Sequence, residues 1–580
     1  MSIHDPTTAQ TSRLLDDTSA NRWLIDALAE LGVTAYAGVN GGGVIHLARL
    51  LAPGTPGADT PSLFTVPEYT AGFMPLGHHL AGGGIAACLT TTGAASKLAA
   101  SGLSDAKAHN IPAVYLVALN STATKGLSPL QDVSDDGAGM VAQLRAELGD
   151  ACLHVKDRAQ LPGQLQLARR ILADSRPVVF ALHPDVLAGP APDPMVPLQG
   201  HPRHPPDVNG IHRRIAGRRV VVLATDEAAR DPHMPELTAR LTRRWGAPIV
   251  WTVNGAAAVD PRDPYGHGHI GFGGNDVASA LFTGLGPDDV LLTLGFEPGE
   301  YVLNLARVTA GHVIHLTALT FPYGQGESGF AHRCAGTYER ITGPISSTLE
   351  VLLSRPGAGP QRQRIAPAHL NSRTPEPLTR PGTVDFAAFL ERLALTWTTP
   401  AFAFDDVCMA YKDRQYVFQR PHPHIRSYAA YQGSAMGGAF GLALGAKLAR
   451  PDLSVLCFSG DGCFRLYAGA LPETAHLGLR LFILNNGAYA IVNQGLPHIM
   501  PGTPEHRFHG DLAPVDFVTT ARGLGWDAIR CDPDLGNLDA ILTACQAPGG
   551  RSLLVEVPVD PGQEIGHNPR VHNLTRASYL

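Results

Sequence analysis

Two rhythms of apolar residues alternate along the first third of the chain. In NRWLIDALAELG (residues 21–32) they return every three to four positions, the spacing of one helix face, whereas VTAYAGV (33–39), GIAACLTTT (84–92) and IPAVYLVAL (111–119) are short, nearly continuous runs. Strands buried on both faces read that way, so the alternation predicts a parallel sheet covered by helices. A second such pattern follows: RRVVVLAT as a strand, MPELTARLTRRWG as a helix closed by Gly246, then APIVWTV, DDVLLTLG and HVIHLTAL as strands. Proline-rich, aperiodic stretches interrupt the patterns at residues 189–210 and 354–382, and a third α/β segment begins near Thr383. The expectation is an α/β chain of three domains, 1–188, 207–353 and 383–580, each with a mainly parallel sheet flanked by helices.

Composition narrows the function classes. With 580 residues, 44% of them apolar and 17% charged, the chain exceeds one core and reads as an ordinary globular protein. Its net charge of -6 and the lack of basic runs beyond pairs such as Arg213-Arg214 argue against nucleic acid or an anionic membrane as partner. The eight cysteines are scattered without a C-x-x-C pair, as free thiols of a reducing compartment would be. No apolar run approaches the ~18 residues of a membrane span, and the start lacks a basic stretch followed by an apolar one. A cytoplasmic protein is expected.

The segment 453–494 carries candidate chemistry. The strand LSVLCFS runs into Gly460-Asp461-Gly462, a helix opening after Cys463 carries the chain back, and a second strand, LRLFIL, ends at Asn485-Asn486. In a parallel sheet both carboxyl ends lie on one edge, where α/β folds bind ligands, so Asp461 and Asn486 are expected to meet. One carboxylate, one amide oxygen and one backbone carbonyl suit Mg²⁺, which takes oxygen ligands at about 2.0–2.1 Å and shares them with phosphates. Gly460 and Gly462 would let the backbone approach a diphosphate.

At these residues the chain resembles the thiamine diphosphate-dependent enzymes that include acetolactate synthase, pyruvate decarboxylase and benzoylformate decarboxylase, whose signature is GDG followed by NN. The resemblance runs over about residues 21–559 and implies thiamine diphosphate and Mg²⁺ as cofactors. It implies Asp461, Asn486 and the carbonyl of Ala488 as metal ligands, and Gly42, Gly93, Gly433, Ser434, Met436, Gly460, Gly462, Cys463 and Tyr489 around the cofactor. Met436, in YQGSAMGGAFGLALGAKLARPD, falls where the family places a bulky apolar prop that bends the cofactor. The spacer 463–484 is slightly shorter than the family's commonest form. The block TVPEYTAGFMPLGHHL places the family's catalytic glutamate on Glu68, which should be buried among Tyr69, Ala71, Gly72, Phe73 and Met74. In the loop TTTGAASK this chain keeps Gly93 but carries Ala95 where relatives have a second glycine. His78 and His79 read as structural or exposed.

The resemblance further implies a homodimer or homotetramer, a 2-oxo acid substrate and a carbonyl acceptor. Simple decarboxylases put an acid or hydroxyl at the position of Gly42 to protonate the enamine left after carbon dioxide departs; glycine there, as in acetolactate synthase, favours ligation to a second carbonyl. A donor from His46, His109 or the carboxyl-terminal segment would reverse that preference. Leu119 and Leu130-Gln131 stand where acetolactate synthase has glutamine and a phenylalanine-glutamine pair, so Leu119 and Gln131 are candidate substrate contacts, with His46 and His498. His498, His506 and His509 lie in a long segment, 495–514, expected to be a loop of the lid type, and the tail 560–580 is expected either to close over the site or to be disordered. GFEPGEY after LLTL lacks the arginine-containing stretch of flavin-binding relatives, so FAD is not expected. The G-x-G-x-x-G at 266–271 does not open a helix after a strand, and neither His267/His269 nor His422/His424 has a completing ligand. Competing activities are a non-ligating decarboxylase and a carbon–carbon hydrolase of a diketone; a non-catalytic cofactor-binding protein would be expected to lose Glu68.

Overall fold

The computed structural model describes residues 17–55, 60–193, 206–295, 298–320, 327–354 and 364–577. The chain falls into two compact units, residues 1–200 with 444–451 and residues 201–443 with 452–580. The first unit holds one sheet and the second holds two, and every strand pairing in all three is parallel.

The first sheet comprises β1 (Ala35–Gly38), β2 (Ala52–Pro53), β3 (Ser62–Thr65), β4 (Ala87–Thr90), β5 (Val114–Ala118), β6 (Cys152–Val155) and β7 (Val178–Leu182), in the order β2-β3-β1-β4-β5-β7-β6. Its central strands β1, β4, β5 and β7 are buried at every position, which is why their sequences are apolar without alternation. Helix Glu68–Leu80 packs on helix Ala94–Ala108 through two glycines. A methyl group on Gly102 would lie 2.1 Å from the carbonyl oxygen of Gly72, and one on Gly72 would lie 2.4 Å from that of Ala99. No larger residue permits this approach. The Tyr115 hydroxyl, from β5, donates to the Gly72 carbonyl at 2.8 Å and ties the same point to the sheet.

The second sheet is β8 (Arg219–Ala224), β9 (Ile249–Trp251), β10 (Gly266–His269), β11 (Asp289–Leu294), β12 (His312–Thr317) and β13 (Thr337–Thr342), in the order β10-β9-β8-β11-β12-β13. Alternate residues of one strand feed two cores: Val220 and Val222 join Leu237, Leu241 and Leu349 on one face, while Val221 and Leu223 join Phe272, Val302 and Phe330 on the other. Helix Met234–Trp245 ends as its sequence predicts, at Gly246 in the left-handed conformation. The G-x-G-x-x-G stretch forms β10 and the turn after it; His267 and His269 are buried and bonded to Tyr265 and Asn275, which makes them packing residues.

The third sheet, in the same unit, is β14 (Ala401–Asp405), β15 (Ile425–Ala429), β16 (Ser454–Gly460), β17 (Arg480–Asn485), β18 (Asp527–Arg530) and β19 (Leu553–Pro558), in the order β15-β14-β16-β17-β19-β18. Asn254, just beyond β9, exchanges two amide hydrogen bonds with Ala429 on edge strand β15, at 2.9 and 2.8 Å, and so joins the second and third sheets. Phe458, Phe482 and Val555 pack under Phe389, Leu390 and Leu542. Burial of each such side chain contributes about 1.5–3 kcal/mol. The carboxyl ends of β14, β16 and β17 are neighbours on one edge.

Candidate active site

On that edge Asp461 follows β16 directly. Its carboxylate is 3% exposed and accepts three backbone N–H groups: those of Gly462 at 2.8 Å, Asn486 at 3.2 Å and Gly487 at 2.6 Å. Asp461 and Asn486 therefore meet across β16 and β17. The Asn486 side-chain oxygen accepts from the Ala488 N–H at 2.8 Å, and Gly487 turns the backbone with φ +73°. Burial pushes the Asp461 carboxyl above its usual range, against the pull of the three backbone N–H groups. A buried carboxylate beside an amide oxygen in a turn, with hydrogen bonds from backbone rather than a salt-bridge partner, is the donor chemistry of a hard cation. Among the described residues no group of three or more His, Cys, Asp or Glu side chains could hold a metal, so a cation here needs further oxygens of the kind a diphosphate provides.

The helix expected after Cys463 starts earlier and is shorter. It covers Asp461–Phe464, followed by a 3-10 turn at Ala468–Ala470 and a turn of helix at Leu471–Thr474. Pro472 and Gly469 break what the apolar periodicity joined. Gly462 must be small because a methyl group there would lie 2.7 Å from the Tyr489 ring, whereas Gly460 has ordinary room on its side facing Cys408. Tyr489 is 38% exposed, and the Cys463 thiol is buried and donates to the Val407 carbonyl at 3.4 Å.

The segment 431–437 lies in the same unit. Gly433 and Ser434 are exposed, Met436 is half-buried, and the turn passes through positive φ at Ser434 (+48°) and Gly437 (+84°). The Ser434 hydroxyl donates to the Tyr431 carbonyl at 2.6 Å. Two residues the sequence reading missed anchor these turns. Asp406, at the end of β14, accepts from Gly437 N–H and from the Ser459 hydroxyl; Arg380, from the stretch read as a linker, donates to the Asn486 carbonyl at 3.0 Å. Paired acids after the apolar run FAF were the available signal for Asp406. The Asn486–Ala488 turn borders a cavity of about 1030 Å³ that Arg380, Asp511 and Asp560 also line.

In the first unit Glu68 opens its helix directly after β3, at the sheet's carboxyl edge. It is half-buried instead of buried: Ala71, Phe73 and Met74 are 0% exposed and face the core, while the first turn stands at the sheet edge with Glu68 on it. A carboxylate suits that helix end electrostatically. His78 is buried, and burial holds its imidazole down to about 4; His79 is half-buried. Gly93 (φ +83°) and Gln131 come together, since a methyl group on Gly93 would lie 2.9 Å from the Gln131 Cβ. Gln131 and His46 are exposed. Leu119 is buried and lines a cleft of about 640 Å³ with His154 and His183. His109 is buried at the end of helix Ala94–Ala108, and Leu130 is 91% exposed.

The segment expected to be a loop from residue 495 begins as helix: Ala490–Ile499 runs through Pro497, with His498 exposed in its last turn. A proline near the end of a helix deletes few of its bonds, which its sequence signal overstates. His506 and His509 are exposed beyond it. The tail is described from residue 560 to residue 577. Gly566 N–H donates to Asp413 at 2.8 Å, Asn573 donates to Glu300 at 2.8 Å, and helix Arg570–Ala577 packs on helix Ala490–Ile499, where Val571 meets Gly495. His422 accepts from the N–H groups of His424 and Ile425, a turn contact.

Comparison with known proteins finds matches for both the amino-terminal and the carboxyl-terminal segments. Residues 18–140 match the model of the thiamine pyrophosphate enzyme N-terminal TPP binding domain, and residues 408–557 that of the C-terminal TPP binding domain. An acetolactate synthase of Mycobacterium avium is 26% identical over 574 residues, covering 93% of this chain and 87% of its own. A Pseudomonas aeruginosa protein named probable 2-ketoarginine decarboxylase is 25% identical, covering 92% and 93%. The solved thiamine diphosphate-dependent 4-hydroxybenzoylformate decarboxylase of Rhodococcus jostii RHA1 superposes with a TM-score of 0.74 at 20% identity, over 93% of this chain and 99% of that one, and so shares its fold. With one cofactor-binding domain matched toward each end, and relatives aligned along nearly its whole length, the chain belongs to the thiamine diphosphate-dependent enzymes of the acetolactate synthase and decarboxylase family.

Proposed function

We propose that the protein is a thiamine diphosphate- and Mg²⁺-dependent enzyme that decarboxylates a 2-oxo acid and ligates the product to a second carbonyl compound. Bound thiamine diphosphate supplies a carbanion at its thiazolium ring and an electron sink for the departing carboxylate. Asp461, Asn486 and the Ala488 carbonyl hold the cation, and Glu68 holds a proton at the pyrimidine ring. Met436 props the cofactor; Gly433, Ser434, Gly460, Gly462, Cys463 and Tyr489 surround it. Half-burial of Glu68 within one chain supports a homodimer or homotetramer in which a second subunit completes its surroundings.

The observation that carries the ligation reading is the space at Gly42. Methyl groups on Gly41 and Gly43 would lie 2.7 and 2.6 Å from Thr91 and Thr92, whereas one on Gly42 meets nothing within 4 Å. A Cβ has room there, so the absence of a side chain is not imposed by packing; with glycine at 42 this position would offer no proton donor beside a bound cofactor, which favours ligation over protonation. The Pseudomonas relative's name favours simple decarboxylation as the second reading. Incubation with Mg²⁺, thiamine diphosphate and a panel of 2-oxo acids, with carbon dioxide and products followed by mass, decides. Coupled products are expected; free aldehyde as the sole product refutes ligation, and turnover without the cofactor refutes the proposal.

A further inference from the structure

Asp406 belongs to none of the motifs above, yet it stands where three parts of the site meet. It is 2% exposed at the end of β14, and its own N–H donates to the Phe458 carbonyl of β16 at 2.8 Å. One carboxylate oxygen accepts the N–H groups of Val407 and Gly437, each at 2.9 Å; the other accepts the Ser459 hydroxyl at 2.7 Å. Gly437 follows Met436 and holds φ +84°, while Ser459 lies two residues before Asp461. The turn itself is tightly seated: a methyl group on Gly437 would lie 3.1 Å from Leu466 and 3.2 Å from the Cys463 carbonyl. Arg414 pairs with the adjacent Asp405, whereas the Asp406 carboxylate is held by backbone N–H groups and the Ser459 hydroxyl, with the Cys463 thiol as a further donor. A buried acid held by donors from three separate segments fixes their spacing, because each bond is directional and costly to leave unmade.

We infer that Asp406 is a positioning residue that sets the distance between the Met436 turn and the strand leading into Gly460-Asp461-Gly462. The inference rests on the proposed cofactor role of those two segments. It predicts that geometry matters and charge does not. An asparagine in its place keeps an oxygen for the two N–H groups and offers its amide N–H to the Ser459 oxygen, whose hydroxyl proton can rotate away. An alanine leaves the Gly437 N–H and the Ser459 hydroxyl without their partner.

The test compares Asp406→Ala and Asp406→Asn with the wild type for thiamine diphosphate affinity with Mg²⁺, the near-ultraviolet circular dichroism of the bound cofactor, and kcat and KM. Asp406→Ala is expected to bind the cofactor at least ~10-fold more weakly, to change the cofactor's dichroism, and to lose on the order of 100-fold in kcat with little change in KM, the scale of a 1 Å misplacement. Asp406→Asn is expected to restore affinity, spectrum and kcat to within about 3-fold, the loss of one charge-assisted contact being the smaller term. Folded Asp406→Ala with wild-type affinity and kcat overturns the inference, and so does Asp406→Asn as impaired as Asp406→Ala. Where Asp406→Ala does not fold, Ser459→Ala removes a single arm: weaker cofactor binding supports the inference and unchanged binding overturns it. Wild-type protein that binds no thiamine diphosphate overturns the proposed function as well, whereas variants indistinguishable from an active wild type overturn this inference alone.

Discussion

Replacing Asp461 separates the role its carboxylate has in the fold from the role proposed for it in holding a cation. In the polypeptide alone it accepts N–H groups from Gly462, Asn486 and Gly487, and the last two hold the end of β17 against the end of β16. Asp461→Ala leaves those two donors without an acceptor at about 1–3 kcal/mol each, so about 2–6 kcal/mol is lost before any ligand is present. Relief of the buried carboxylate, whose pKa burial raises, and water entering from the adjoining cavity bring the expectation to the lower half of that range. Asp461→Asn keeps one oxygen for the Gly487 N–H, and its cost in the absence of metal should stay near 1–2 kcal/mol, about one hydrogen bond. Its effect on metal is larger. Changes in groups that merely support a ligand cost about 10–100-fold in metal affinity, and removal of a coordinating charge should cost at least that. The assay is denaturant unfolding in EDTA beside calorimetric titration of thiamine diphosphate with Mg²⁺. Asp461→Asn should be nearly as stable as the wild type yet bind cofactor at least ~100-fold more weakly. Wild-type cofactor affinity in Asp461→Asn refutes the metal role, and an Asp461→Ala protein as stable as wild type in EDTA refutes the structural one.

Glu68→Gln should lower kcat by about 10²–10⁴-fold while cofactor affinity stays unchanged, measured by single-turnover kinetics and titration, since in the proposed role the side chain moves a proton without bearing the diphosphate. Gly42→Asp, at a position where an added Cβ meets nothing within 4 Å, should shift products of the same 2-oxo acid from coupled compound to free aldehyde; an unchanged product ratio counts against the ligation argument. Gly102→Ala should cost about 1–3 kcal/mol by overpacking the helix that carries Glu68, seen as a lower urea midpoint. Burial holds His269 at about 4 and His315 at about 3, so both stay neutral in the folded protein while the unfolded chain protonates them below about 6.5. Their stability contribution is present above that pH and is lost as pH falls toward 4. The loss reaches about 4 kcal/mol for the pair by pH 5, and His315→Asn should flatten the pH dependence of the denaturation midpoint.

What the sequence made legible were features confined to one short segment. Buried parallel strands such as VVVLA and DVLLTL show themselves because both faces must be apolar, and the GDG and NN stretches show themselves because each sits at the end of such a strand. Strand β10, with the sequence GHGH, escaped notice because its two histidines are made compatible with burial by Tyr265 and Asn275, partners that periodicity does not see. Helix Met409–Phe418 is hidden for the same reason: Lys412, Asp413, Arg414 and Gln415 form a polar run, yet Lys412 pairs with Asp413, Arg414 with Asp405 and Gln415 with Ser427, all in the interior. Removing one member of such a buried pair costs about 3–5 kcal/mol, so these residues fix the helix in place though they would not have predicted it.

The same distinction separates the candidate residues of the two units. The helix that begins at Glu68 is placed by steric contact, since glycines at 72 and 102 let it approach helix Ala94–Ala108 closely and the Tyr115 hydroxyl ties Gly72 to the sheet. That arrangement tolerates no enlargement, yet the chemistry proposed for it resides in one residue that a family motif can point to. Asp461 and Asn486 are placed by hydrogen bonds among strand ends, with Arg380 reaching the Asn486 carbonyl from 106 positions away and Asp406 reaching Gly437 across 31. Motifs mark the groups that would touch the cofactor, because their chemistry restricts which residue types serve. The groups that hold those residues need only offer a donor or an acceptor at the right point, and many residue types from any part of the chain can do so. A site built this way keeps its reactive residues readable in sequence and its supports readable only in the folded molecule, which is why Arg380 and Asp406 emerged from geometry.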